Sequence, residues 1–97
     1  MYQVCILIRM DIEYDASKAV ENERKHNGVT FEEGASALLD ADAWVIEDGS
    51  AGERRWVLLG ISREGRLLVV VYTLRGEAIR LISARKASRK EEQTYAR

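Results

Sequence analysis

Few side chains in this sequence are suited to chemistry. His26 is the only imidazole, and it directly follows Lys25. An imidazole titrating near neutrality both accepts and donates a proton, so His26 is a candidate general acid or base. Lys25 is a candidate cation for a phosphate. Arg54, Arg80 and Arg85 carry planar guanidinium forks that match phosphate or carboxylate bidentately. Glu53, beside Arg54, is a candidate base. Each of these residues also has a purely structural reading. Lys25 and His26 close the last turn of a helix, where positive charge suits the dipole. Arg80 and Arg85 can form salt bridges to acidic residues, and Glu53-Arg54 can be an exposed ion pair of little energetic worth. Arg80 and Arg85 lie five apart on one predicted strand, so they point to opposite faces unless the strand is bulged or Arg85 reaches round from its end.

Other chemistries lack their residues. One His and one Cys, not spaced as zinc ligands, make no metal constellation. The pairs Glu32-Glu33 and Glu91-Glu92 are adjacent in helical stretches and do not share a face. The glycines fit caps, turns and strands rather than a phosphate-cradling loop. Trp44 and Trp56 can stack on bases, but aromatics in strands are more often core, and both are expected there. Tyr72 and Tyr95 are possible proton donors, with Tyr95 expected to pack the terminal helix.

The elements that position these groups are read from periodicity. Residues 54–86 contain three apolar runs separated by Arg63-Glu64-Gly65 and Arg75-Gly76-Glu77, which predicts three strands joined by hairpins. Residues 67–74 are apolar at almost every position, so that strand is expected to be central and buried on both faces. Residues 43–47 read as a fourth strand, and a short strand is expected around Ile12. Asp15 is a plausible N-cap for a helix over 16–26 with a thin stripe of Ala16, Ala19 and Val20, ended by Asn27-Gly28. Thr30 to Glu33 and Ser88 to Glu91 read as capping boxes opening two further helices. Phe31, Ala35, Leu38 and Leu39 form the apolar face of the first of these. The order β-α-α-β-β-β-β-α predicts an α+β fold: two N-terminal helices packed on a four-stranded antiparallel meander, with a C-terminal helix.

Ninety-seven residues make a single domain over 1–97. The lone Cys5 forms no intrachain disulfide, reads as a small apolar residue, and suits a reducing cytoplasm. No run approaches membrane-spanning length, and residues 1–9 lack the basic start and cleavage site of a signal peptide. The net charge of −1 hides a division: residues 11–48 balance at −8 and residues 49–97 at +6. A basic half can meet a polyanion although the whole chain is near neutral.

Several segments resemble the BrnT family of bacterial toxins. The resemblance runs from Asp11-Ile12-Glu13-Tyr14-Asp15 and Lys18 through Asn22, Lys25-His26 and Gly28-Val29-Thr30-Phe31-Glu32-Glu33. It resumes at Glu53-Arg54, Trp56 and Gly60. It is closest at Arg80-Leu81-Ile82-Ser83-Ala84-Arg85-Lys86-Ala87, followed by Glu91 and Tyr95. It implies a RelE-like fold and metal-independent RNA cleavage without cofactors. It also implies a ribbon-helix-helix antitoxin of the BrnA kind, with DNA met only through the toxin–antitoxin complex. On this resemblance Lys25 and His26 position RNA and move protons, Arg54, Arg80 and Arg85 stabilise charge, and Glu53 is a weaker candidate base. Asn27 departs from the family pattern as an insertion after His26. Residues 1–9 precede the usual start at Met10 and read either as an extra edge strand or as an extension from a wrongly assigned start codon; a chain beginning at Met10 is expected to fold and stay active. The alternative is a non-catalytic module that binds an acidic partner or nucleic acid through its basic sheet.

Overall fold

Strand β4 (Leu67–Arg75) occupies the middle of a five-stranded sheet in the order β1-β5-β4-β3-β2. The computed structural model describes residues 11–49 and 52–96. The elements are β1 (Asp11–Glu13), α1 (Ala16–Lys25), α2 (Phe31–Ala37), β2 (Trp44–Asp48), β3 (Arg55–Ile61), β4, β5 (Ala78–Lys86) and α3 (Arg89–Tyr95). Strands β2 to β5 form the expected antiparallel meander. The correction concerns β1. It does not stand apart but adds a fifth strand, parallel to β5, pairing Asp11 to Glu13 with Ala78 to Arg80. The sheet is therefore mixed, and β1 covers only the first third of an edge whose backbone groups all need partners. The proposed extension over residues 1–9, and Cys5 within it, lie outside the described residues.

Strand pairing assigns each side chain to a face, because directly paired residues point the same way. Leu58, Gly60, Leu68, Val70, Tyr72, Ile79, Leu81 and Ala84 face α1 and α2. With Val29, Phe31, Ala37 and Leu38 they form most of the core. Trp44, Ile46, Val57, Leu59, Val69, Val71, Thr73 and Arg80 lie on the opposite face. Trp44 is therefore not core: it is 45% exposed on an edge strand, which an apolar alternation in sequence does not distinguish from a covered one. Trp56 does pack on the core, with its ring stacked on Tyr72 at 6.0 Å between centroids.

The register of β5 carries one irregularity. Val71 pairs with Ser83 but Tyr72 pairs with Leu81, which leaves Ile82 as an extra residue. Such a bulge inverts the alternation beyond it. Ala84 joins Leu81 on the helix face, where α2 lies against it. Gly34 permits that approach, since a Cβ there would stand 2.9 Å from Ala84 Cβ.

The helices begin where their caps place them. Asp15 Oδ1 accepts from Ser17 N at 2.9 Å and Lys18 N at 3.1 Å. Of the expected α1 stripe only Ala19 packs on the core. Val20 is 70% exposed, and the buried residue of the helix is Asn22. Ser88 and Glu91 make the full capping box of α3. Thr30 makes half of one: its hydroxyl accepts from Glu33 N, but the Glu33 carboxylate does not turn back to the cap. Instead it is buried, accepting from Ser62 Oγ at 2.7 Å and from Arg66 through both Nε and Nη2. That network ties α2 to the β3–β4 hairpin, where Ser62 Oγ also accepts from Glu64 N and Arg66 N. Hydrogen bonding to Arg66 holds the Glu33 carboxyl below its ordinary range.

Candidate active site

Among the described residues, no strand flanks β5 on its outer side beyond Arg80. Helix α1 takes the vacant place through one side chain. Asn22 Nδ2 donates to Ala84 O at 2.8 Å and to Val29 O at 3.1 Å, while Asn22 Oδ1 accepts from Ala84 N at 3.1 Å. The primary amide thus pairs with both backbone groups of Ala84, as a neighbouring strand would. The anchor brings the C-terminal half of α1 against the bulge. Lys18, Glu21, Asn22 and Lys25, spaced for one helical face, line a cleft with His26, Ile82 and Ser83.

The end of α1 sets where His26 sits. His26 is the C-cap residue, Asn27 follows with φ +53° and Gly28 with φ +82°. Gly28 N donates to Glu23 O at 2.8 Å, the six-to-one bond of a Schellman turn. Asn27 therefore occupies the left-handed position usually given to glycine, a conformation asparagine tolerates better than most residues. With Asn27 in that turn, His26 stays in the cleft.

The bulge has a second consequence. Without it Arg80 and Arg85 would face opposite ways. With Ile82 extra, Arg80, Ser83 and Arg85 all lie on the face turned away from α1 and α2, opposite Thr73, Val71 and Val69. Each step between them spans about 7 Å along the strand, so the Ser83 backbone position is midway between those of the two arginines. Ser83 also lines the Lys25–His26 cleft and so joins the two halves of the site.

Both arginines are ion-paired. Arg80 Nη1 lies 3.4 Å from Glu13 Oε1. Arg85 grips Glu91 of α3 with a two-pronged fork, Nη1–Oε1 at 2.9 Å and Nη2–Oε2 at 2.8 Å. Glu91 is held by Arg85 first, and by Ser88 N, with its carboxyl lowered to about 2. At its other end α3 is tied down by Tyr95, whose hydroxyl donates to Asp40 Oδ2 at 2.5 Å. Burial first, then that bond, push the Tyr95 phenol up to about 12.

The remaining candidates fall elsewhere. Arg54 Nε pairs with Glu47 Oε2 at 2.8 Å, and the register of β2 puts Glu47 on the helix side, away from Arg80 and Arg85. Glu53 is exposed, with Oε1 3.5 Å from Arg55 Nε. Neither Glu53 nor Arg54 lines the cleft with Lys25 and His26. Tyr72 is in the core, where burial raises its pKa. The structure instead adds three residues. Arg55 lies on the face opposite α1 and α2, level with Thr73 and Arg80; among the described residues its buried Nε makes the 3.5 Å ion pair with Glu53 but no hydrogen bond. Lys18 was detectable from its i, i+4, i+7 spacing with Asn22 and Lys25. Ser83 was not, because its orientation depends on the bulge.

A pH prediction follows from α3. Glu91 has a folded pKa of about 2, below its ordinary 4.5. Its pairing therefore stabilises the fold above the ordinary value, and this contribution is lost as pH falls through 4.5 toward 2. Glu91→Gln should remove this part of the acid dependence while leaving that of Glu33 and Asp40. Tyr95 ring resonances followed by NMR from pH 6 to 2 should report release of α3 at higher pH in the variant. Identical profiles would show that the Arg85–Glu91 fork does not hold the helix.

Together, fold and site define a small α+β protein that sets two arginines and a hydroxyl on one bulged strand beside a helix end carrying lysines and an imidazole, equipment suited to a phosphate-bearing ligand. The chain belongs to the BrnT family: the family model described as "Ribonuclease toxin, BrnT, of type II toxin-antitoxin system" matches residues 14–91. The fold is also similar to the crystal structure of the Brucella abortus ribonuclease toxin BrnT. The TM-score is 0.66 and the identity 26%, over 82% of this chain and 99% of that one. No curated protein matches. Membership makes the chain a ribonuclease toxin of a type II toxin–antitoxin system, with RNA as substrate and an antitoxin as partner. Among the described residues, no helix is long and apolar enough to cross a membrane.

Proposed function

We propose that this toxin is a metal-independent endoribonuclease acting at the outer side of β5. The ribose 2′-oxygen attacks the adjacent phosphorus as a base removes its proton. The P–O5′ bond breaks, an acid protonates the leaving oxygen, and a 2′,3′-cyclic phosphate remains. His26 carries a proton in this scheme and Lys25 holds the phosphate. Arg80 and Arg85 offset the charge that grows on the non-bridging oxygens. Arg54 and Glu53, on the β2–β3 side, contact the flanking RNA strand.

The observation that carries this reading is the bulge at Ile82, which turns Arg80 and Arg85 to one face beside the Lys25–His26 cleft. A cleft with two lysines and one carboxylate suits an anion better than a metal ion. The Arg85 fork is engaged on both prongs by the Glu91 carboxylate, and in this scheme an RNA phosphate, an oxyanion of matching geometry, displaces that carboxylate. The partner fits the same chemistry: a BrnA-like ribbon-helix-helix antitoxin would place carboxylates over residues 75–90, which carry six basic residues and one acidic. Antitoxin and RNA would then exclude one another, and only the complex would bind DNA.

The purified chain should cleave single-stranded RNA in EDTA, leaving cyclic phosphate ends, and cleavage should weaken as salt rises. Induced without antitoxin, it should arrest growth. Activity abolished by EDTA and restored by a divalent cation would overturn the metal-free scheme.

A further inference from the structure

We infer that Ser83 is a substrate-contacting residue, its hydroxyl donating to a phosphate oxygen held between Arg80 and Arg85. The inference rests on the ribonuclease reading for the identity of the substrate, but its geometry stands alone. Ser83 is the residue common to the two parts of the site. It lies on the face opposite α1 and α2, one step from Arg80 and one step from Arg85, and it lines the cleft that Lys18, Lys25 and His26 border.

Three features argue against a purely structural serine. First, Ser83 Oγ makes no hydrogen bond to a described residue, whereas Ser17, Ser36, Ser62 and Ser88 all use their hydroxyls to bond the protein. Second, it is half-buried and faces away from the core, so packing does not require its shape. Third, its direction depends on the extra residue Ile82, and the backbone beyond the bulge is fixed on both sides, by Val70 through the β4 register and by Asn22 through Ala84. A hydroxyl held on so constrained a backbone loses little freedom when it binds.

Arg80 and Arg85 leave the strand at backbone positions about 14 Å apart, and their long side chains converging on one phosphate leave some of its oxygens without a donor. A neutral donor midway supplies a hydrogen bond without adding charge. It also lines one cleft with Lys25 and His26, which border it from the α1 side. Ser83 thus links charge stabilisation on β5 to proton transfer at the end of α1.

The test compares Ser83→Thr with Ser83→Val in the full chain. The two are nearly isosteric and alike in strand preference, and they differ in the hydroxyl. Two readouts are used: kcat/KM on a single-stranded RNA, and the Kd of the same sequence with 2′-O-methyl riboses, which has no nucleophile and cannot be cleaved. Ser83→Val should lose about ten- to a hundredfold in kcat/KM and bind the methylated strand about three- to tenfold more weakly, with an unchanged Tm. Ser83→Thr should stay within about threefold of the parent chain in both. Equal kcat/KM and equal Kd for the two variants would overturn the role of Ser83 while leaving the ribonuclease reading intact. A parent chain that binds the methylated strand through Ser83 but cleaves nothing would overturn the reading and keep the contact. A parent that neither cleaves nor binds would overturn both.

Discussion

Arg80→Ala and Arg85→Ala should each lower RNA cleavage by about two to three orders of magnitude, as removal of a charge-stabilising donor does elsewhere. Neither guanidinium is buried in the core: Arg80 is 28% exposed and Arg85 41% exposed at the side chain. Their partners Glu13 and Glu91 also reach solvent, so truncation leaves no buried charge behind. Melting temperatures should therefore move little, though Arg85→Ala frees α3 at its Glu91 anchor and should lower Tm by a few degrees. Lysine at either position should rescue only partly, because a point charge does not reproduce the two-pronged geometry. Cleavage rate is measured beside thermal melting for the four variants. Parent-like cleavage by both alanine variants would move the phosphate site away from β5. Failure of both to fold would make them structural and place the chemistry around Lys25 and His26.

The largest effect on stability should come from Asn22→Leu. The shape is nearly kept, but Ala84 N–H, Ala84 C=O and Val29 C=O all lose their partner in a buried setting. Each orphaned group costs about 1–3 kcal/mol, so a total of about 3–5 kcal/mol is expected after local relaxation. For a domain of this size that is a fall of roughly 15–25 °C in Tm. Asn22→Asp keeps an acceptor for Ala84 N–H but brings an unpaired charge, and should be no better. Urea unfolding of the two variants decides the matter: a loss under about 1 kcal/mol in Asn22→Leu would mean that water or a shifted α1 satisfies the strand edge.

The reach of the sequence differs between elements for identifiable reasons. Local signals were enough for the helices. Asp15, Thr30 and Ser88 cap where their side chains can bond the next turn, and Asn27-Gly28 stop α1 where two left-handed residues are tolerated. The meander was legible because apolar runs of strand length were punctuated by Gly-containing turns, and β4 is central as its continuous apolar run required. Non-local choices were not legible. Nothing within residues 11–13 says which edge they join, and β1 found the open backbone of β5 sixty-seven positions away. Glu33 matched a capping pattern, yet a guanidinium and a hydroxyl from the β3–β4 hairpin competed for its carboxylate and won.

The candidate residues show the same division. The sequence determined their kinds: one imidazole beside a lysine at a helix end, and arginines along the last strand. It also carried the family motifs that make the chain a ribonuclease toxin. The tertiary structure alone decided which of them meet. Strict alternation sends Arg80 and Arg85 apart, and a single unpaired residue, Ile82, brings them to one face. It is the same inversion that turns Ser83 outward and Ala84 inward to Gly34 and Asn22. Side-chain direction on a strand is a parity, and parity depends on how two strands register across a turn rather than on either strand's own residues.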